Sequence, residues 1–450
     1  MTDQHQRADV VVVGAGPAGA AAAISLARAG RDVIVVDKAA FPRDKCCGDG
    51  LTALALRLSE RLGLDPTTIP SWMPVDAATV SGPPTPSNPR GHSVRFPLPP
   101  GPGVHAAVAR RSEYDAALVD LARRAGATVL EGHALQGATE EDDRVTLDVA
   151  GVGRLHTRYV VAADGMWSPT RKALGLGEPG YRGEWHAFRA YFRDVSEQAQ
   201  RELFVLFETD LLPGYAWSFP VGDGTANFGF GVQRGAKVAV GEMRAVWDDL
   251  LQRPRVREIL GPDAVAEARH TAWPIPARID RLPRTGRRTF FVGDAAAATD
   301  VMTGEGIGQA LLTGMLAAEA IESTGPHGAR VATARYDDAV DHHLVADHRM
   351  SALLVRGLRH RRAVRAAVRV AGSTPWTRRN FARWLFEDYP RAVAVTPSRW
   401  HAGMFHGPGA FADTPLDTRT ASTASGGERT RSSGSAGRSS TAARTRPAPR

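Results

Sequence analysis

The stretch from Asp9 to Asp37, DVVVVGAGPAGAAAAISLARAGRDVIVVD, constrains the fold more than any other part of the chain. Four consecutive valines make a strand that is apolar on both faces, a glycine turn follows, an alanine-rich helix comes next, and a second apolar strand ends on an acid. Gly14 permits the tight turn, Gly16 lets the backbone approach a pyrophosphate, and Gly19 lets the helix pack close to the strand. The pyrophosphate then rests on the positive end of the helix that begins near Pro17. Asp37 lies 23 positions beyond Gly14, where it can accept hydrogen bonds from a ribose diol. The expectation is an α/β, Rossmann-like dinucleotide-binding domain, and this motif alone does not distinguish FAD from NAD.

A second pattern separates them. In TFFVGDAAAATDVMTGEGIG (289–308) a buried strand runs into Gly293-Asp294, and a second glycine loop, Gly304 to Gly308, opens the helix QALLTGMLAAEAI. An aspartate at a strand end can bond the hydroxyls of a flavin's ribityl or ribose chain, and a second helix start can stabilise negative charge on a reduced isoalloxazine ring. No further glycine-rich strand-turn-helix unit is present for a nicotinamide. Electrons therefore come either from NAD(P)H that docks transiently or from a reduced redox protein.

Between these motifs, PGYAWSFP (213–220) alternates Tyr215, Trp217 and Phe219. Alternate residues of a strand share a face, so the three rings form one aromatic wall, which faces either an ordinary core or a ligand. EWHAFRAYFRDV and the hairpin AWSFPVGDGTANFGFGV, turning at Gly222-Asp223-Gly224, predict an antiparallel sheet around it.

Five blocks in order, AFPRDKCCGDGL (40–51), ARRSEYDAAL (109–118), AADGMWSPTR (162–171), PGYAWSFPVGDGTANFGFGV (213–232) and GDAAAATDVMTGEGIG (293–308), resemble the geranylgeranyl reductase family. That family consists of flavoproteins with a para-hydroxybenzoate-hydroxylase-like fold, and includes menaquinone reductases and archaeal lipid reductases. Carried over by position, the resemblance assigns Gly14, Gly16, Ala18, Gly19, Asp37, Lys38, Arg43, Arg111, Asp164, Gly293 and Asp294 to FAD. Gly48, Gly304, Gly306 and Ile307 would lie near the isoalloxazine ring. Tyr215, Trp217 and Phe219 would line the prenyl pocket, with Cys47, Tyr215 and Trp217 as catalytic candidates. The family has a single cysteine before the glycine where this chain has Cys46 and Cys47; Cys47, adjacent to Gly48, aligns with it.

The resemblance implies an FAD-dependent reductase of isoprenoid C=C bonds, acting on a menaquinone side chain or on a geranylgeranyl group of a lipid or diphosphate. Two rivals stay open: an FAD-dependent monooxygenase or halogenase of an aromatic or polyketide, and a non-enzymatic flavin or lipid carrier. No nucleic-acid partner and no metal are expected. An isolated trisubstituted alkene has no carbonyl to delocalise added charge, so its reduction needs hydride at one carbon and a proton at the other. Aromatic faces shield and stabilise positive charge that develops between them.

The motif blocks imply an FAD-binding domain over 8–175, with a turn-rich insertion at 73–103, continued at 277–325 and interrupted by a substrate sheet at 176–276. A helical region is expected over 326–407 and a disordered basic tail over 408–450. From Thr418 onward seven arginines face one glutamate, which accounts for +6 of the formal net charge of +8, so the folded body is near neutral and the high pI carries little functional meaning. HRMSALLVRGLRHRRAVRAAVRVAG reads as a basic helix with Leu353, Val364, Val368 and Ala371 on one side, either capping the substrate channel or resting on an anionic bilayer. Two adjacent cysteines offer no disulfide framework, no basic-then-apolar signal precedes Asp9, and no apolar run reaches the roughly 18 residues of a membrane span. A cytoplasmic protein, at most peripheral on the membrane face, is expected.

Overall fold

The valines after Asp9 form the inner half of the strand Gln6–Val13, at the centre of a seven-stranded sheet in the computed structural model, which describes residues 6–324 and 328–414. Val33–Asp37 and Gly153–Ala162 flank this strand in parallel, so both its edges are paired, and Val10, Val11 and Val12, which point to both faces, are wholly buried. Thr128–Glu131 and Thr289–Phe291 extend the parallel part, while Val145–Val149 and Leu135–Glu140 finish it as antiparallel strands.

The helix Pro17–Arg28 leaves the central strand, and the helix Ile307–Glu322 lies directly on it. Two glycines make that closeness possible. A Cβ at Gly19 would stand 1.8 Å from the Gly14 carbonyl oxygen, and one at Gly314 would stand 2.1 Å from the Ala18 carbonyl oxygen. Both helix starts therefore open on the same cavity, beyond the carboxyl ends of the parallel strands.

An eight-stranded sheet covers that cavity, running Val265–Ala266, Trp185–Arg193, Ala226–Gln233, Tyr215–Pro220, Leu203–Leu206, Ala77–Ser81 and Ser93–Pro97, with Thr271–Ile275 also paired to Trp185–Arg193. One face packs Phe188, Phe192, Phe228 and Phe230 with Trp247 of the helix Met243–Leu250 into a core. The opposite face carries Tyr215, Trp217 and Phe219.

Three expectations are corrected here. The substrate sheet is not confined to 176–276: within the turn-rich insertion at 73–103, Ala77–Ser81 and Ser93–Pro97 pair with each other, and Ala77–Ser81 joins that sheet by pairing in parallel with Leu203–Leu206. The basic helical segment is two helices, Ala346–Leu358 and Arg361–Ala371, broken at Arg359-His360. The break separates Leu353, which is 58% exposed, from the buried Val364 and Val368. Residues 408–414 also belong to the packed body, since Ala410 bridges to Val104 and Phe411 is buried. The remainder of the expected tail, 415–450, lies outside the described residues.

Candidate active site

One cavity of about 1170 Å³ gathers nearly every residue singled out in the sequence. Gly14, Gly16, Ala18, Asp37, Lys38 and Arg43 line one end; Gly48, Arg111, Asp164, Gly293, Asp294, Gly304, Gly306 and Ile307 also line it, together with Cys47, Tyr215, Trp217 and Phe219. Gly19 does not reach the cavity and serves helix packing alone.

The dinucleotide end has the polarity that a pyrophosphate requires. No side chain caps the helix Pro17–Arg28 and no acid stands in its first turn, so its leading N–H groups keep their free valence toward the cavity. Asp37 accepts from Ala15 N (2.7 Å) and Ala39 N (2.8 Å), which fixes its carboxylate at the strand end and leaves lone pairs for a diol. Arg111 is held by a two-point contact with Asp115 at 2.7 Å, and Arg43 reaches the same carboxylate at 3.2 Å. These groups fit FAD. The second helix start differs from expectation, because Glu305 Oε1 already accepts from Ile307 N (3.0 Å) and Gly308 N (2.9 Å).

The aromatic wall is continuous. Ring centroids are 6.0 Å apart from Phe207 to Tyr215, 6.1 Å from Tyr215 to Trp217 and 6.2 Å from Trp217 to Phe219. Trp217 pairs across the sheet with Gly229 and lies over it so closely that a Cβ there would meet its ring at 2.3 Å. Asn227, opposite Phe219, pins the indole: Trp217 Nε1 donates to Asn227 Oδ1 (3.1 Å), while Asn227 Nδ2 donates to the Cys47 carbonyl and to Asp49 Oδ2, both at 2.9 Å. Tyr215 donates to the Thr303 carbonyl, tying the wall to the loop before Ile307–Glu322.

Sequence reasoning missed four residues here. Asp49 is wholly buried, with Tyr191 OH and Asn227 bonded to Oδ2 and no partner on Oδ1, and burial pushes its carboxyl up to about 6. Glu305 is pushed up to about 8 by burial and then by the nearby Glu387 carboxylate. Lys45 stands 3.8 Å above the Trp273 ring and 3.8 Å from Asp294, and burial lowers its pKa. Asn227 was visible as an amide among the apolar residues of the strand Ala226–Gln233, whose other amide, Gln233, stands at its end. Asp49, Lys45 and Glu305 were inside the quoted motifs, where only burial gives them meaning. Cys47 is pushed up to about 11 by burial, so it carries a proton at neutral pH rather than a nucleophilic thiolate. Cys46 also lines the cavity and directs its sulfur to the Thr271 carbonyl at 3.7 Å.

The far end is apolar. Leu354, Leu358, Val364, Val368, Phe381 and Phe386, from the helices Ala346–Leu358, Arg361–Ala371 and Pro375–Leu385 and the residue that follows, close the slot opposite the wall. Leu354, Gly357, Ala363 and Ala367 line it yet are exposed, so the cavity opens between the first two of these helices.

Residues 7–320 match the FAD binding domain family. A menaquinone reductase of Mycolicibacterium smegmatis is 34% identical over 349 residues, covering 71% of this chain and 78% of the relative. Digeranylgeranylglycerophospholipid reductase 1 of Methanopyrus kandleri is 33% identical over 322 residues, covering 69% and 79%. A crystal structure of a geranylgeranyl bacteriochlorophyll reductase-like protein of Thermoplasma acidophilum superposes with a TM-score of 0.71 at 20% identity, over 88% of this chain and all of that one.

Proposed function

The chain belongs to the FAD-binding geranylgeranyl reductase family, and from that premise we propose that it hydrogenates C=C bonds of an isoprenoid, either a menaquinone side chain or a geranylgeranyl group of a lipid or diphosphate. The observation that carries this reading is the single cavity that joins an uncapped, glycine-lined helix start to a greasy slot walled by Tyr215, Trp217 and Phe219. FAD bound in its reduced form supplies the hydride for one alkene carbon.

The chain's own residues do the rest. Gly14, Gly16 and Ala18 offer backbone to the pyrophosphate, Asp37 offers its carboxylate to a ribose, and Asp294, Arg111 and Arg43 supply charge along the same wall. Trp217 is held rigid by Asn227, so its face is in place before positive charge develops on the alkene, and Tyr215 flanks it. Cys47, a neutral thiol beside Gly48, orients what lies against it and can lend a proton. At ~0.8 kcal/mol per buried CH₂ the slot holds a few isoprene units without hydrogen bonds, and it therefore discriminates weakly on chain length.

The electron donor is NAD(P)H or a reduced redox protein. The helices that line the apolar end suit a bilayer surface: they also carry Leu353, Val370 and Trp376, which are 58%, 67% and 66% exposed, and the exposed Arg361, Arg362, Arg369 and Arg379. Among the described residues no helix is long and apolar enough to cross a membrane. Mass spectrometry of quinones and lipids from cells lacking the protein tests the substrate assignment. Species that gain two hydrogens per reduced bond should disappear, and an unchanged prenyl profile would contradict the proposal.

A further inference from the structure

A second cavity of about 200 Å³ adjoins the first. Direct hydrogen bonds join their walls: Thr52 of the first donates to Glu387 of the second (3.0 Å), and Arg391 of the second donates to Thr303 of the first (3.2 Å). Two buried polar atoms on the residues lining the second cavity, Gln309 Oε1 and His348 Nδ1, have no hydrogen-bond partner, and Arg391 Nε has only an ion pair with Asp300 at 3.4 Å. Buried polar atoms in a space of this size bind ordered water, and the volume holds several molecules.

The two walls also bring two carboxyls together. Glu305 faces the substrate cavity, and Glu387 faces the second cavity, held by Gln309 (2.8 Å), Arg391 (3.1 Å) and Thr52. Both meet the start of the helix Ile307–Glu322: Glu305 accepts from Ile307 N and Gly308 N, and the next residue, Gln309, donates to Glu387; burial and the Glu387 carboxylate oppose ionisation of Glu305. The other titratable or charged groups around Glu305 are Arg391, Asp300, Cys47, Tyr215 and Tyr114. Glu305 sits two residues beyond the Thr303 carbonyl that Tyr215 binds, so a proton released from it enters beside the aromatic wall.

We propose that Glu305 and Glu387 form a carboxyl relay carrying protons from water in the second cavity into the substrate cavity. This rests on the proposed alkene reduction, in which the reduced flavin gives a hydride to one carbon. The proton leaves the Glu305 carboxyl and forms the new bond at the other carbon. Glu387, the ionised partner, then takes a proton from solvent by way of cavity water and passes it to the Glu305 carboxylate, so the pair returns to its one-proton state. Glu305 is the donor and Glu387 positions and resupplies its proton.

Infrared spectroscopy of the FAD-free protein tests the pair without substrate. A protonated carboxyl band should persist near neutral pH, shift in D₂O, vanish in Glu305→Gln and titrate at lower pH in Glu387→Gln. With FAD and a prenyl substrate under anaerobic conditions, Glu305→Gln should lose about 10²-fold or more in alkene reduction. Glu305→Asp should recover part of it, and Glu387→Gln should move the high-pH limb of the rate profile to lower pH. No protonated carboxyl in the wild-type protein, or wild-type rates and pH profiles in both Gln variants of an active reductase, would overturn the relay. A wild-type protein that reduces no alkene would instead overturn the functional reading, and the infrared result would still decide whether the pair holds a proton.

Discussion

Gly16→Val separates what the first glycine turn does for the ligand from what it does for the fold. Gly16 has φ −68° and ψ −178°, a backbone conformation that valine adopts freely. The nearest protein atom to a Cβ there is an Arg43 guanidinium nitrogen at 3.5 Å, so the substituent enters the cavity without striking the chain. Its neighbours differ sharply. A Cβ at Gly14 would meet the Ala163 carbonyl oxygen at 2.3 Å and one at Gly19 would meet the Gly14 carbonyl oxygen at 1.8 Å, so those substitutions damage the protein itself. Folding stability of Gly16→Val should therefore stay within about 0.5 kcal/mol of wild type. A pyrophosphate kept off the helix start loses charge-assisted hydrogen bonds worth ~1.5–3 kcal/mol each. Two such losses weaken FAD by roughly 3–6 kcal/mol, or about 10²- to 10⁴-fold in Kd. Flavin fluorescence titration of FAD-free protein gives the affinity, and a denaturant midpoint gives the stability. Wild-type affinity in the variant would refute the placement of the pyrophosphate, and a collapse in stability would refute the claim that this position serves only the cavity.

Gly229→Ala should lower stability by ~1–3 kcal/mol, because the new methyl meets the Trp217 ring at 2.3 Å and the Phe188 carbonyl oxygen at 2.4 Å. Indole fluorescence should report a displaced Trp217, and an unchanged spectrum and midpoint would contradict the packing. Trp217→Ala should keep FAD bound and lose turnover; full turnover would remove the aromatic wall from the chemistry. Asp49 and Glu305 have folded pKa values raised to about 6 and about 8, so the folded state holds their protons longer than the unfolded chain does. Their stabilising contribution is complete below pH ~4 and is lost as pH rises through ~6 and ~8, so the Tm of FAD-free protein should fall over that window and fall less in Glu305→Gln. The effect is on the order of 1–3 kcal/mol, since the open cavity wets Glu305, and parallel Tm curves for the two proteins would contradict it.

Local chemistry was legible in the sequence and remote pairing was not. Asp9 to Asp37 announced its strand, turn and helix because each glycine acts on atoms within a few residues or on the next element. The alternation of Tyr215, Trp217 and Phe219 was equally plain, but the surface they lie on depends on Gly229, Asn227 and the Lys45–Asp49 turn brought in from elsewhere. Ala77–Ser81 stayed hidden because its partner, Leu203–Leu206, lies more than a hundred residues away and its flanks read as turns. The break at Arg359-His360 was masked by the same basic, apolar composition on either side. Glu305, between two glycines, was given no role of its own in the sequence, and its meaning comes from burial and from Glu387, 82 residues later.

The central claim is that reduced flavin in this cavity gives its electrons to an isoprenoid alkene. Purified protein loaded with FAD, reduced under anaerobic conditions and mixed with a menaquinone or geranylgeranyl lipid, should show flavin reoxidation in step with a product carrying two more hydrogens. Reoxidation only on admitting oxygen, with the prenyl chain unchanged, would contradict it.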